Sequence, residues 1–252
     1  MLAPGALALL CAASVATGAL SAVVGMAGGI TLLALMLLWL PPLVAIPLHA
    51  AVQLVSNSSR VVAQRRHVRW PLVASFSAPL LPMALVGVTL ARALPTRGIE
   101  LAIGVFVLVA TWRPGWLAHG ARGDATSPGR TLFFVGSMVG LLSPTIGATG
   151  PLDAPFFLRL GLDRFQLIGT KAACATAQHV AKIAAFGVVG FAYSEWLLPL
   201  CALSATAVAG TWLGTRLLAR VREEDFRALY QGVLTVVALR LAYGEALLLL
   251  PR

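Results

Sequence analysis

Two rows of polar side chains interrupt stretches of this sequence that are otherwise apolar. The first row is His49, Gln53, Asn57 and Arg60, spaced four, four and three residues apart, so a helix places them on one face. The second row consists of Lys171, Gln178, His179 and Lys182. Polar groups at membrane depth normally face a bundle interior or a water-filled cavity. Because every ionisable member of the rows is a base, they predict a path for an anionic solute.

His49 and Lys171 occupy equivalent positions in the two rows and lie deepest. They point either to solute contact or to a hydrogen bond between packed helices. The other predicted solute-binding side chains are Gln53, Asn57, Thr170, Gln178 and His179. His179 either takes up a proton near physiological pH or is simply hydrogen-bonded. Arg60 and Lys182 are expected to snorkel toward the interface.

Asp153 is the acidic residue placed deep inside an apolar segment, just after Gly150-Pro151. One interpretation is an acid in the first turn of a helix begun by Pro151, where the helix dipole stabilises it. The other is a proton-coupling carboxylate or an ionic partner of Lys171. The equivalent residue of the first half is Thr31, which is polar but not acidic and therefore favours the first interpretation.

Glycine-rich breaks precede both polar rows, at Gly25-Met26-Ala27-Gly28-Gly29 and at Gly147-Ala148-Thr149-Gly150-Pro151. Such breaks free backbone groups that lipid cannot satisfy, so they persist only where protein or water surrounds them. The half-helix after each break presents unpaired N–H groups and a positive dipole end, which suit an anion. Gly28, Gly29 and Gly150 are therefore added to the predicted binding site. The alternative is that the glycines only allow close helix packing.

The elements that carry these residues are predicted to be transmembrane helices. The chain has 252 residues, of which 59% are hydrophobic and 11% charged, with a mean hydropathy of +0.88. Soluble chains carry roughly 25% charged residues. Stretches with little charge recur at 5–24, 43–59, 70–91, 98–112, 131–158, 172–191, 195–215 and 228–250. Each is about long enough to cross ~30 Å of hydrocarbon, and the first is taken as a span because it lacks the basic start of a signal peptide.

Charge and cysteine content exclude several other classes of protein. The net charge of +10 arises largely from arginines in short connections, as expected for cytoplasmic loops rather than for nucleic-acid binding. Cys11, Cys174 and Cys201 lie inside apolar stretches without ligand spacing, so we predict no disulfide, metal or cofactor.

The sequence also repeats itself. At an offset of 122 residues Gly18, Gly25 and Gly28 fall on Gly140, Gly147 and Gly150, and at 127 Gly87 falls on Gly214. We therefore predict a first membrane repeat over 1–120, a polar linker over 121–130 and a second repeat over 131–252. The predicted fold is all-α, a polytopic transmembrane bundle of two repeats with glycine-broken first segments.

Loop charges indicate that the two repeats have opposite orientation. The connection after the second segment is basic in the first half, with Arg65, Arg66, His67 and Arg69. The equivalent connection, 187–194, has no basic residue, and the next one carries Arg216, Arg220, Arg222 and Arg227. Inverted repeats are typical of secondary transporters, and they require a segment of each half to fold back. Eight plain crossings stay open, since Arg92 and Arg97 fit the inverted arrangement poorly.

The chain resembles the sulfite exporter TauE/SafE family of membrane permeases. The resemblance covers nearly the whole chain and rests on the two glycine breaks with 45–57 and 168–179 behind them. The family usually has a fuller glycine run, and a Thr-Ser pair where this sequence has Leu48-His49 and Thr170-Lys171.

The resemblance implies ATP-independent transport of sulfite, an organosulfonate or a related anion across a bacterial cytoplasmic membrane. The expected partners are that anion and membrane lipid, with a homodimer left open and no nucleic acid. An enzyme is not expected, because the sequence lacks HExxH, GxSxG and paired deep carboxylates. A membrane assembly factor that shares the fold without transporting is the alternative.

Overall fold

The computed structural model describes residues 2–25, 27–91, 112, 127–222, 224–226, 228–232, 235–236 and 239. Every regular element in this part of the chain is helical, so the all-α prediction is confirmed. Almost all of the predicted segment 98–112, most of 228–250 and most of the linker 121–130 lie outside the described residues.

The described part of the first half contains five α-helices and one 3-10 turn. They are α1 (Pro4–Val24), α2 (Ala27–Met36), α3 (Pro42–Gln64), the 3-10 turn Arg65–His67, α4 (Trp70–Ser77) and α5 (Leu80–Ala91). Proline stands in the first turn of α1, α3 and α4, where its missing N–H removes no helical hydrogen bond. Gly25 ends α1 with a φ of 87°, and its N–H donates to the carbonyl of Ser21 at 2.7 Å.

The described part of the second half contains four α-helices and a second 3-10 turn. They are α6 (Pro128–Ile146), α7 (Gly150–Leu158), α8 (Arg164–Val188), the 3-10 turn Tyr193–Trp196 and α9 (Leu197–Leu218). Asp163 caps α8 by accepting from the backbone N–H of Gln166 at 2.9 Å. Gly147 ends α6 with a φ of 81°, and its N–H donates to Ser143 at 2.9 Å.

Glycine contacts bring neighbouring helices unusually close. α1 packs along α9, where a Cβ added to Gly210 would lie 2.1 Å from the carbonyl oxygen of Val15. α5 packs along α6 in the same way, with Gly87 against the carbonyl of Leu141. Small residues allow this backbone approach, on which helix association in membranes depends.

α3 and α8 pack against each other at the centre and run antiparallel. Gln64 at the end of α3 lies beside Gly169 near the start of α8, while the rings of His49 and His179 meet with centroids 6.1 Å apart. Since α3 and α8 carry the two polar rows, this packing turns the rows toward one another.

Within the part of the chain that the structure describes, two helical stretches are long and apolar enough to cross a membrane, Pro4–Val24 and Tyr193–Leu218. Trp70–Ser77 and Leu80–Ala91, bent by 40° at their junction, make a third if they form one span. α3 and α8 have 23 and 25 residues but carry the polar rows and are correspondingly less apolar. Large apolar side chains such as Leu9, Leu198 and Trp212 are exposed on the outside of the bundle, as lipid contact requires.

Candidate functional site

A small cavity of about 50 Å³ lies between the breaks and the polar rows. From the first half, the predicted site residues on its wall are Gly29, His49, Gln53 and Asn57. From the second half they are Gly150, Asp153, Lys171, Gln178 and His179. The structure thus brings nine of the predicted residues together around one cavity.

Two predicted site residues, Gly28 and Thr170, lie away from the cavity wall. A Cβ on Gly28 would lie 1.8 Å from the carbonyl oxygen of Thr17, so Gly28 is where α2 packs against α1. The Thr170 hydroxyl accepts from the backbone N–H of Arg69 at 3.0 Å and ties the basic loop to α8. Gly28 therefore matches the close-packing alternative, and Thr170 holds a loop.

The N-terminal ends of two short helices face this space. α2 contributes Gly29 and Ile30 to the wall, and Thr149 and Gly150 contribute from the start of α7. The first N–H groups of a helix have no partner within the helix, and the dipole makes that end positive. Both ends are therefore suited to the negative charge of a bound anion.

The C-terminal ends at the breaks are capped by buried cations. Arg60 donates to the carbonyl of Ser21 at 2.7 Å, and Lys182 donates to the carbonyl of Gly147 at 2.5 Å. Their exposed fractions are 2% and 0%, so the prediction that these side chains snorkel to the interface is wrong. The physical reason is that each helix ends inside the bundle, where a cation on a neighbouring helix binds a carbonyl group and stabilises the negative end of the helix dipole.

His49 and Lys171, the equivalent residues of the two rows, each bind the start of a short helix. The His49 Nε2 lies 2.8 Å from the carbonyl oxygen of Gly29, and the Lys171 ammonium donates to the carbonyl of Gly150 at 3.1 Å. Both side chains also line the cavity. They therefore make the predicted packing hydrogen bond while facing the space where a solute would lie.

Asp153 lies in the first turn of α7 and forms a fully buried ion pair with Lys171. Asp153 is therefore both the acid in the first turn of a helix and the ionic partner of Lys171. A role of Asp153 in proton coupling stays a prediction.

The amide side chains connect the rows to the breaks. Gln178 donates to the Thr149 hydroxyl at 2.8 Å. Asn57 donates to the backbone carbonyl of Gln53 at 2.7 Å and accepts from the guanidinium of Arg60. A Cβ on Gly29 would lie 3.2 Å from the amide nitrogen of Gln53, so this glycine leaves room for the amide.

Buried basic side chains outnumber buried acids at this site. Arg60, Lys171 and Lys182 are buried here, and Asp153 is the one buried carboxylate among the described residues. Pairing Lys171 with Asp153 leaves two cations whose partners are neutral carbonyl or amide groups. Burying an uncompensated charge is costly, so the site favours an added negative charge.

Sequence reasoning missed several residues of the wall, and the polar ones among them are Ser21, Arg60 and Thr149. Ser21 contributes the carbonyl to which Arg60 donates. Its position four residues before Gly25, in the last turn before the break, could have indicated this from the sequence. Thr149 stands inside the second break, where a hydroxyl between glycines marks a polar position. Among the described residues no group of three potential ligands could hold a metal ion, and Cys11, Cys174 and Cys201 are free thiols.

Comparison with known proteins gave one match. The family model described as Sulfite exporter TauE/SafE matches residues 10–241, a range that contains both breaks, both rows and the whole cavity wall. No curated protein and no solved structure matches the chain.

Proposed function

This chain belongs to the sulfite exporter TauE/SafE family, as its sequence motifs predicted, and from that membership we propose that it is a permease for a small anion. Membership of this family makes it a membrane transport protein. The proposed substrate is sulfite or a related sulfur-containing or organic anion. The proposed mechanism is secondary transport by alternating access, without ATP.

The observation that supports an anion is the unequal distribution of charge around the cavity. Arg60 and Lys182 stabilise the negative ends of α1 and α6, which leaves the positive ends of α2 and α7 facing the cavity. An anion there would bind free N–H groups and compensate the excess of buried cations.

The size of the cavity supports a small solute. One water needs roughly 10–15 Å³ of space measured in this way, so about 50 Å³ admits a few waters or one ion with only a few heavy atoms. Sulfite has that size. A longer organosulfonate would require the cavity to widen, so we place sulfite before taurine or sulfoacetate.

The inverted repeat is part of the proposal because helix positions in the two halves correspond. α3 and α8 begin at residues 42 and 164, and the breaks begin at Gly25 and Gly147, both 122 residues apart. α4 and α9 begin at 70 and 197, which are 127 apart. Antiparallel packing of α3 and α8 supports opposite orientation. Rocking of one half against the other would then open the cavity to each side in turn.

We place the protein in the bacterial cytoplasmic membrane as a multi-pass chain, with the basic loop at 65–69 on the cytoplasmic side. Lipid would contact the exposed apolar side chains. Assembly into a homodimer stays a prediction.

The test is thermal stabilisation of the detergent-purified protein by sulfite, thiosulfate, sulfoacetate, taurine and inorganic anions. We expect sulfite to raise the unfolding temperature, and larger sulfonates to do so less. Gln53→Leu removes a polar group from the wall without touching a buried charge. It should raise the sulfite concentration needed for half-maximal stabilisation about tenfold. Gln166→Leu, on a half-buried residue outside the cavity, is the matched control. A flat response of the intact protein to every anion would contradict the proposal.

A further inference from the structure

One imidazole from each half faces the cavity. His49 on α3 and His179 on α8 have exposed fractions of 1% and 6%, and their rings meet edge to face at 6.1 Å. The Nδ1 atoms of both rings are buried, and neither has a hydrogen-bond partner among the described residues. Buried polar atoms are rarely left unpaired, so these two nitrogens point to something that the cavity holds during function.

The hydrogen bond of His49 fixes which of its nitrogens carries the proton. Its Nε2 lies 2.8 Å from the carbonyl oxygen of Gly29, and a carbonyl can only accept. Nε2 therefore carries the hydrogen, and Nδ1 of the neutral ring is a bare acceptor. A bare acceptor repels an anion, whereas the same atom with a proton on it donates to one.

We propose that His49 Nδ1 binds a proton together with the transported anion, so that proton and anion cross the membrane as a pair. This inference rests on the proposed permease function and adds its coupling ion. A proton from water forms the N–H bond at Nδ1, and the resulting imidazolium donates to the anion. When the anion is released on the other side of the membrane, the proton leaves Nδ1 for water on that side.

The charges that face His49 link the two binding events. Arg60 on α3 and Lys171 and His179 on α8 share the cavity wall with this imidazole, and Lys182 on α8 is close enough to interact with its charge. The one carboxylate on the cavity wall, Asp153 on α7, is held by Lys171. A further positive charge here meets cations and, among the described residues, no unpaired acid. An anion removes that conflict, so each ligand raises the affinity for the other.

The experiment uses purified full-length protein in liposomes that contain a pH-sensitive dye, with labelled sulfite as the probe at a pH where free sulfite is the dianion. Exchange of labelled for unlabelled sulfite at equal concentrations needs no net proton movement. Accumulation driven by an imposed pH gradient does need it. Protein-free liposomes measure the leak of protonated sulfite.

His49→Gln keeps an N–H donor for Gly29 but has no lone pair that binds a proton at neutral pH. We expect this variant to exchange sulfite about tenfold or more slowly than the native protein, because it lacks the N–H that meets the anion. The net sulfite flux that remains should move no protons, whereas the native protein should move about one proton with each sulfite. The matched control is His67→Gln, on an exposed histidine of the 3-10 turn, which should keep both activities.

Two results would overturn the inference, namely full gradient-driven accumulation by His49→Gln, or residual net sulfite flux through this variant that moves protons in the native ratio. The native protein gives a test that needs no variant. If it exchanges sulfite without any proton movement during net flux, the coupling is wrong while the permease proposal stands. If it does not exchange sulfite at all, the permease proposal fails for this anion and the coupling fails with it.

Discussion

The guanidinium of Arg60 donates to the carbonyl oxygen of Ser21 at 2.7 Å, from the interior of α3 to the last turn of α1. Lys182 makes the corresponding contact from α8 to Gly147 at 2.5 Å. In each half, therefore, a buried cation on the long helix, α3 or α8, binds the C-terminal end of the helix that precedes the glycine break, α1 or α6. A cation in this place stabilises the negative end of the helix dipole.

Lys182→Met should lower the free energy of unfolding by about 1–3 kcal/mol, because it leaves the Gly147 carbonyl unpaired in a buried place. Thermal unfolding in detergent measures the change. Lys182→Arg keeps a cationic donor and should recover part of the loss. Equal stability of the methionine variant and the native protein would contradict this role.

The buried Lys171–Asp153 pair predicts a strongly non-additive double-mutant cycle. Lys171→Met or Asp153→Asn alone leaves one buried charge without its partner, which costs about 3–5 kcal/mol. Lys171→Met with Asp153→Asn removes both charges and should restore much of that stability. Chemical unfolding of the four proteins in one detergent gives the coupling energy.

The control for that cycle is the exposed pair formed by Arg222 and Glu224, whose side chains are 71% and 81% exposed. Arg222→Met should change stability by less than about 1 kcal/mol. Additive effects at Lys171 and Asp153 as well would show that the buried pair does not couple.

Gly28→Ala should separate α2 from α1, because its Cβ would lie 1.8 Å from the Thr17 carbonyl oxygen, which belongs to the backbone and cannot rotate away. Overpacking of this kind costs about 1–3 kcal/mol or more. Gly187→Ala, also in a helix but with nothing within 4 Å of the added methyl group, should be neutral or stabilise by about 0.4–1 kcal/mol. Unfolding temperatures of the two variants in the same detergent decide the matter.

From the sequence we predicted the helical class and most of the residues that line the cavity. Residue spacing is sufficient for this prediction, since side chains four residues apart must share a helix face. Glycine runs likewise break apolar helices wherever they occur. Gly25 and Gly147 do end their helices with positive φ values. The family was predicted correctly from the same breaks.

Partners across the bundle were beyond what the sequence could predict. Arg60 and Lys182 were expected at the interface because long cationic side chains usually reach water. Their actual partners, Ser21 and Gly147, are 39 and 35 residues away in sequence. Spacing within one helix does not reveal which carbonyl of another helix lies opposite.

Thr170→Val tests the assignment of this residue to the loop contact rather than to the cavity. The variant loses the acceptor for the Arg69 N–H and should be less stable by about 0.5–1.5 kcal/mol. Anion binding should be unchanged, since Thr170 does not lie on the cavity wall. A titration of sulfite-induced stabilisation compares it with Gln53→Leu, and a clear loss of affinity would return Thr170 to the site.

The antiparallel packing of α3 and α8 predicts that the loops that follow them lie on opposite sides of the membrane. The loop after α3 carries Arg65, Arg66 and Arg69, so the positive-inside bias places it in the cytoplasm. The loop after α8, residues 189–194, then faces the other side. Single cysteines at the exposed residues Arg66 and Ser194, in a background with Cys11, Cys174 and Cys201 replaced by alanine, report both positions.

In intact cells a membrane-impermeant maleimide should label Ser194→Cys and spare Arg66→Cys, whereas inside-out vesicles should give the reverse. A permeant maleimide, which labels both, controls for accessibility. Labelling of both cysteines from one side would mean that α3 and α8 do not each cross the membrane in opposite directions. The inverted-repeat proposal would then fail, because it requires the two long helices of the cavity to be related by reversal of orientation.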